Sequence, residues 1–345
     1  MLLSVAALTL LPVNKFVSFG NLNGLRLEGN AVEAKFQSDW IDPGFMWDEL
    51  VPSWNVSLDS GVTFELECQL LTNERISKSY HLGKWAIDDS KQSVKDQRDE
   101  LADVLTDTLA IKDPGAAVRF TATLRRMTPE KAGSVKFLAL AFTDSKAVPK
   151  ERDSLKSAWG KVLDVPQRAQ GSYPNGSVIC SPTCVSMIMG YWSQRLGREE
   201  LDPDVPEVCS AIYDKNWPGT GNWPFNTAYA GGYEGMRGYV SRFSDVRQLE
   251  AWIEAGVPIA TSVAYDILRY GERRRGNDGH LIVLVGFDEK GDPMFNDPAS
   301  SSQIRKTYPR DMFIKAWSES NRTVYVIHPE SVKSPKDELG EWVNP

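Results

Sequence analysis

A chain of 345 residues, 41% apolar and 25% charged, can bury two ordinary cores and has the composition of a globular protein. Its formal charge of −7 is spread along the chain with no basic stripe, which argues against nucleic-acid binding. The longest apolar run, "MLLSVAALTLLPV" at 1–13, is too short to cross a bilayer, so no integral membrane segment is expected.

That run also lacks the positive n-region of a secretory signal, which leaves a signal segment, a truncated one or none. An extracytoplasmic location is favoured over a cytoplasmic one. The following residues, to about 148, read as β-structure. In "GVTFELECQL", Val62, Phe64, Leu66, Cys68 and Leu70 alternate with Thr63, Glu65, Glu67 and Gln69, the period of a strand with one wet face. "AAVRFTATLRRM" repeats this with Val118, Phe120, Ala122 and Leu124 inward, and "VKFLALAF" suits a central strand. Strands without interposed helical periods predict an antiparallel β-sandwich over 1–148. Trp54 and Trp85 serve either as its filling or as walls of a sugar groove. The polar stretch "TDSKAVPKERDSLKSAWG" then predicts a linker at 149–160.

From 161 to 345 the pattern is α+β. Cys184, Met187, Ile188 and Tyr191 form a helical stripe buried along one side. "SDVRQLEAWIEAG" predicts a second helix, with Ser244 as N-cap and Gly256 as its stop. "VPIATSVAY" and "HLIVLVGF" read as strands, and the turn "DEKGD" folds the latter back onto "PMFND".

Four cysteines at irregular spacing do not make a disulfide scaffold, and three histidines without an HExxH pattern give a zinc site little to work with, so no cofactor is implied. In "VICSPTCVSMIMGYW", Ser181-Pro182 reads as a helix opening, placing Cys180 at the tip, where unpaired N–H groups and the helix dipole stabilise a thiolate. Cys184 lies one turn inside on the apolar stripe. The alternative for Cys180 is a buried structural thiol. A nucleophilic thiol needs a base and a group to orient it. His280 opens "HLIVLVGF", and the hairpin brings Asp297 alongside it, with Asn296 facing the other way. An oxyanion requires donors, for which the Cys180 N–H and the Gln170 amide are candidates, Gln167 competing with the latter. "NWPGTGNWPFNTAYAGGYEGMRGY" reads as a loop that approaches a substrate backbone and offers Trp217, Trp223 and Tyr233 as walls, or as a packed connection. Arg273, Arg274 and Arg275 hold a substrate carboxylate or belong to a solvated loop.

The segments "DVPQRAQ…ICSPTCVSMIMGYW", "GTGNWPFNTAYA" and "GHLIVLVGFDEKGDPMFNDPAS" resemble the C39-like peptidases, bacterial proteins of the papain-like cysteine peptidase fold, over roughly residues 160–330. The resemblance implies a papain-like domain preceded by the β-sandwich, thiol-dependent hydrolysis of a peptide or protein by Cys180, His280 and Asp297, and Gln170 at the oxyanion position. The N-terminal half resembles an extra domain that accompanies some of these proteins. Members that cleave double-glycine leaders are fused to ABC transporters, and with no Walker A motif here that substrate is not carried over. Cys184 stands where similar sequences more often have Ser. The alternative to an enzyme is a binding protein whose sandwich contacts a glycan, a cell wall or a protein partner.

Overall fold

In the computed structural model, which describes residues 12–72, 75–274 and 279–344, the first half is all strand: β1 (Asn14–Phe19), β2 (Glu33–Gln37), β3 (Glu49–Leu58), β4 (Val62–Leu71), β5 (Tyr80–Trp85), β6 (Ala102–Leu105), β7 (Thr108–Ile111), β8 (Ala117–Arg126) and β9 (Gly133–Thr143). The second half runs α1 (Cys180–Leu196), α2 (Val205–Ile212), α3 (Trp223–Gly232), β10 (Met236–Arg242), α4 (Val246–Glu254), β11 (Ile259–Ala264), α5 (Tyr265–Tyr270), β12 (Gly279–Phe287), β13 (Pro293–Asn296), β14 (Arg305–Thr307), α6 (Arg310–Ser318), β15 (Thr323–Pro329) and β16 (Trp342–Val343). Most of the 1–13 run, residues 1–11, lies outside the described residues.

Two sheets of the first half face each other, one ordered β16-β1-β9-β3-β7-β6 and the other β2-β8-β4-β5. Their contact is aromatic, with Phe19 edge-on to Phe120 at 5.0 Å and Trp54 against Phe64 at 5.7 Å. In β4 every second side chain is buried, as the alternation requires, and Cys68 is among them. Trp54 and Trp85 are both buried, although Trp85 also lines a cavity with Val56. The pairing of β1 with β16 is parallel, so the C-terminal tail closes on the N-terminal sheet.

Strand β3 is buried on both faces because its outer face is covered by the second half of the chain. There Asn55 exchanges hydrogen bonds with the backbone of Gly238, and the Val240 N–H donates to Ser53 Oγ at 2.8 Å. Phe225 of α3 meets Trp85 and Trp54 edge-on at 5.2 and 6.2 Å, a buried aromatic contact of about 2–3 kcal/mol that the two halves share.

The second-half sheet, ordered β10-β15-β11-β12-β13-β14, is antiparallel throughout its pairings. Helix α1 lies against it, tied by Trp192 Nε1 donating to Ile327 O and Tyr191 Oη to Gly256 O. The single buried stripe expected for α1 is corrected: the helix is enclosed on nearly every side from Ser181 to Ser193, between sheet, α2 and α3. Ser244 does not cap α4. Asp245 does, accepting from the Gln248 N–H at 3.0 Å, while Ser244 turns inward to Glu341.

The expected loop over 216–239 is also corrected, since α3 and β10 occupy most of it. Asn222 caps α3 by accepting from the Phe225 N–H, and Pro224 sits in the first turn. The glycines there serve packing. A Cβ on Gly231 would lie 2.1 Å from Asn55 Nδ2, and one on Gly238 2.4 Å from Thr227 O. Only glycine lets α3, β10 and β3 approach this closely.

Candidate active site

Cys180 is the first residue of α1, with Ile179 at the N-cap and no side-chain cap. Ser181 is therefore one residue inside the helix; its hydroxyl meets Tyr325 Oη at 2.9 Å instead of capping. The thiol is half-buried, at the positive end of a 17-residue helix. Across from it His280 lies on β12. The turn after β12 folds as its sequence demands, Asp288 Oδ1 accepting from the N–H groups of Lys290 and Asp292, and Gly291 taking φ 87°. The returning strand pairs Val283 with Asn296, which brings Asp297 beside His280.

His280 Nε2 donates to Asp297 Oδ1 at 2.9 Å, with His280 5% exposed and Asp297 fully enclosed. The imidazole also acts on the Cys180 thiol through a side-chain hydrogen bond and its charge, and with Nε2 engaged to Asp297 it has Nδ1 left for that role. Burial alone would raise the thiol pKa, but the hydrogen bond and charge of His280 and the N–H groups of Leu281 and Ser181 hold it below its ordinary value. Burial would likewise favour a neutral imidazole. The Asp297 carboxylate and the Cys180 sulfur overcome it and push His280 up to about 9. Both shifts act toward a thiolate–imidazolium pair.

Asp297 is held by groups without any sequence signal. Its Oδ2 accepts from Tyr265 Oη at 2.8 Å and Tyr308 Oη at 2.9 Å, Lys306 Nζ stands 3.5 Å away, and the Ala299 N–H bonds Oδ1. Burial raises its pKa, but the His280 and tyrosine hydrogen bonds prevail and hold it far below the usual carboxylate range. Tyr265 also lies against the imidazole, ring centroids 4.3 Å apart. It follows β11, whose register sets Val263 opposite His280.

Asn296 faces away, as the alternation of β13 requires. Its Nδ2 donates to Val165 O and Pro166 O, and its Oδ1 accepts from Arg305 Nε at 3.1 Å. It thereby fastens the segment leading to Gln170. Asn296→Ala leaves these buried groups unpaired and is expected to cost about 2–3 kcal/mol, read as a lower urea midpoint at unchanged slope. A loss under about 0.5 kcal/mol contradicts this anchoring.

Gln170 is buried in a 3-10 turn, its N–H donating to Pro298 O at 2.9 Å, next to Asp297. Its Nε2 donates to Gly176 O at 2.5 Å, and its buried Oε1 has no partner. One amide hydrogen remains for another acceptor. Gln167 is exposed.

Of the expected walls, Trp217 is exposed on a loop fastened by the buried Asp214 carboxylate, and Thr220 Oγ1 reaches Val178 O near Cys180. Trp223 instead opens α3, its N–H donating to Asp107 Oδ2 at 2.8 Å on the β6–β7 turn. Tyr233 follows the far end of α3, bonded to Tyr229 Oη at 2.8 Å and lining a separate cavity with Val56 and Trp85. Arg273 pairs with Glu319 at 2.8 Å, and Arg275 lies outside the described residues.

The other cysteines differ from Cys180. Burial raises Cys184 well above its ordinary value, raises Cys68 further than any reactive thiol, and pushes Cys209 up to about 11. All four are free. Among the described residues no three His, Cys, Asp or Glu side chains converge as metal ligands, and no helix is long and apolar enough to cross a membrane.

Comparison with known proteins gives matches of two kinds. Residues 162–325 match the Peptidase_C39 like family and residues 30–143 the Peptidase C39 N-terminal domain. Among solved structures, a candidate C39-like peptidase from Bacillus anthracis is 16% identical with a TM-score of 0.34, over 54% of this chain and all of that one. The CBM22-1-GH10 modules of xylanase 10B from Clostridium thermocellum are 11% identical with a TM-score of 0.21, over 51% of this chain and 34% of that one. No curated protein matches the chain.

Proposed function

We propose, from the match of residues 162–325 to the Peptidase_C39 like family, that the chain is a cysteine peptidase that hydrolyses peptide bonds through Cys180, His280 and Asp297. The observation that carries the proposal is the His280 imidazole bonded at 2.9 Å to a buried carboxylate while it lowers the pKa of the Cys180 thiol. A helix tip supplies the sulfur and a facing sheet the base, on which ground we read the chain from 161 as a papain-like domain, with 149–160 as its connection to an accessory domain at 1–148, which the tail strand Trp342–Val343 rejoins in place of the expected 161–345 boundary.

The Cys180 thiolate attacks the scissile carbonyl carbon, and the carbonyl electron pair moves onto oxygen. The developing oxyanion takes hydrogen bonds from the Cys180 backbone N–H and the free amide hydrogen of Gln170. His280 Nδ1–H protonates the leaving amine as the C–N bond breaks, leaving an acyl-thioester. The neutral Nδ1 then removes a proton from water as the water attacks. Collapse of the second tetrahedral intermediate releases the acid and restores the thiolate and imidazolium. Asp297 remains ionised throughout and keeps the Nε2 proton in place.

Incubation of the wild-type chain with a degenerate peptide library, followed by mass spectrometry, tests the proposal. New termini that appear with wild type and not with Cys180→Ala are expected. An intact library with folded wild-type protein sinks the enzymatic assignment and leaves a binding protein.

A further inference from the structure

Proton transfer fixes which side of the sulfur the leaving half of a substrate must occupy. His280 Nε2 is held to Asp297, so only Nδ1 can reach the departing nitrogen, and the chain beyond that nitrogen must pass the groups that flank the imidazole. Tyr265 is the nearest aromatic flank, its ring centroid 4.3 Å from that of His280. One helical turn further along α5, the Arg269 guanidinium lies over Tyr265 at 5.2 Å and over Tyr270 at 5.1 Å.

Arg269 differs from the basic side chains around it. Arg273 pairs with Glu319, Arg274 lies 3.7 Å from Glu272 and 3.7 Å over the Tyr270 ring, and Arg310 is held by Glu250. Lys306 is beside Asp297. Arg269 is exposed and has no ion-pair partner among the described residues. Its charge nevertheless reaches the Tyr265 and Tyr308 hydroxyls that hold Asp297. A guanidinium lying over two rings has restricted motion and keeps its N–H edge open, the geometry that accepts a carboxylate through two parallel hydrogen bonds.

We propose that Arg269 forms an anion-binding subsite on the leaving-group side of the cleft, walled by Tyr265 and Tyr270, and that preferred substrates carry an acidic side chain just past the scissile bond. The subsite rests on the peptidase function proposed above. It makes Arg269 a determinant of specificity without a part in the bond-breaking step.

Internally quenched peptide libraries with Glu, Gln or Lys fixed at the first position after the cleaved bond test it, read as kcat/KM for wild type, Arg269→Gln and Arg269→Glu. Wild type is expected to prefer Glu over Gln by about tenfold, the size of one charge-assisted contact at a partly exposed site. Arg269→Gln brings that ratio near one, and Arg269→Glu turns the preference toward Lys, a reversal that general loss of structure does not produce. Cleavage by wild type without a Glu preference, or a preference that survives Arg269→Gln, overturns the subsite while the peptidase assignment stands. No cleavage by wild type with any library removes both.

Discussion

Cys180→Ala is expected to lower peptide-bond hydrolysis by a factor of ~1,000 or more at saturating substrate, since the remaining groups can bind and polarise a carbonyl but cannot form the acyl-enzyme. The variant should fold, because the thiol is half-buried and alanine fits a first helical turn. It should also change how stability depends on pH. In wild type the lowered thiol and the raised imidazole push the pH dependence of stability in opposite directions. Without the sulfur only His280 remains, raised by Asp297 above its unfolded value. Its stabilising contribution is complete below about pH 6.5 and is lost as pH rises through the folded value. Urea midpoints of Cys180→Ala should therefore fall more steeply with rising pH than those of wild type. Parallel profiles for the two proteins contradict the coupled pair.

Asp297→Ala is the second large effect. It removes the fully buried acceptor of His280 Nε2 and of both tyrosine hydroxyls, and is expected to cost ~3 kcal/mol of stability. With burial then acting on the imidazole with less opposition, its pKa drops from about 9, the thiolate loses its counter-charge, and kcat/KM should fall by about 100- to 10,000-fold. The sign at acid pH follows from the depressed carboxyl. Asp297 contributes stability above its unfolded value near 3.9, and that contribution disappears as pH falls through the folded value. The gap in urea midpoint between wild type and variant should be full near pH 5–6 and narrow toward pH 2–3. A constant gap throughout that range contradicts the ionised, hydrogen-bonded carboxylate.

Much of this site is legible in the sequence where local rules decide the geometry. The turn at Asp288–Gly291 folds β12 back onto β13 and alternation turns Asn296 and Asp297 to opposite sides, but the register that joins Asp297 to His280 also depends on a one-residue shift in pairing between Leu284 and Gly286, which carries no sequence signal. Strands β4 and β8 announce themselves because one face is wet. Strand β3 does not, because Ser53 and Asn55 put hydrogen-bonding groups on a buried face that meets the second half of the chain. Tyr265 and Tyr308 carry no signal at all. They reach Asp297 through the adjacency of β11 to β12 and the return of the chain past β14, both long-range pairings. The run at 216–239 misleads for a different reason: its glycines suggest an open loop, whereas they admit neighbouring backbone and side chains to a packed helix and strand. Ser181 and Ser244 are good caps by type, but Tyr325 and Glu341 offer their hydroxyls tertiary partners.

The most direct measurement is the pH dependence of iodoacetamide alkylation, followed for each cysteine by peptide mass spectrometry in wild type and His280→Ala. The pairing of sulfur with imidazole predicts that Cys180 reacts rapidly near pH 6, well ahead of Cys68, Cys184 and Cys209, and that His280→Ala moves its inflection up toward the ordinary thiol range near 8.5. A Cys180 that begins to react only in that ordinary range, and does so alike in both proteins, contradicts the proposed activated pair.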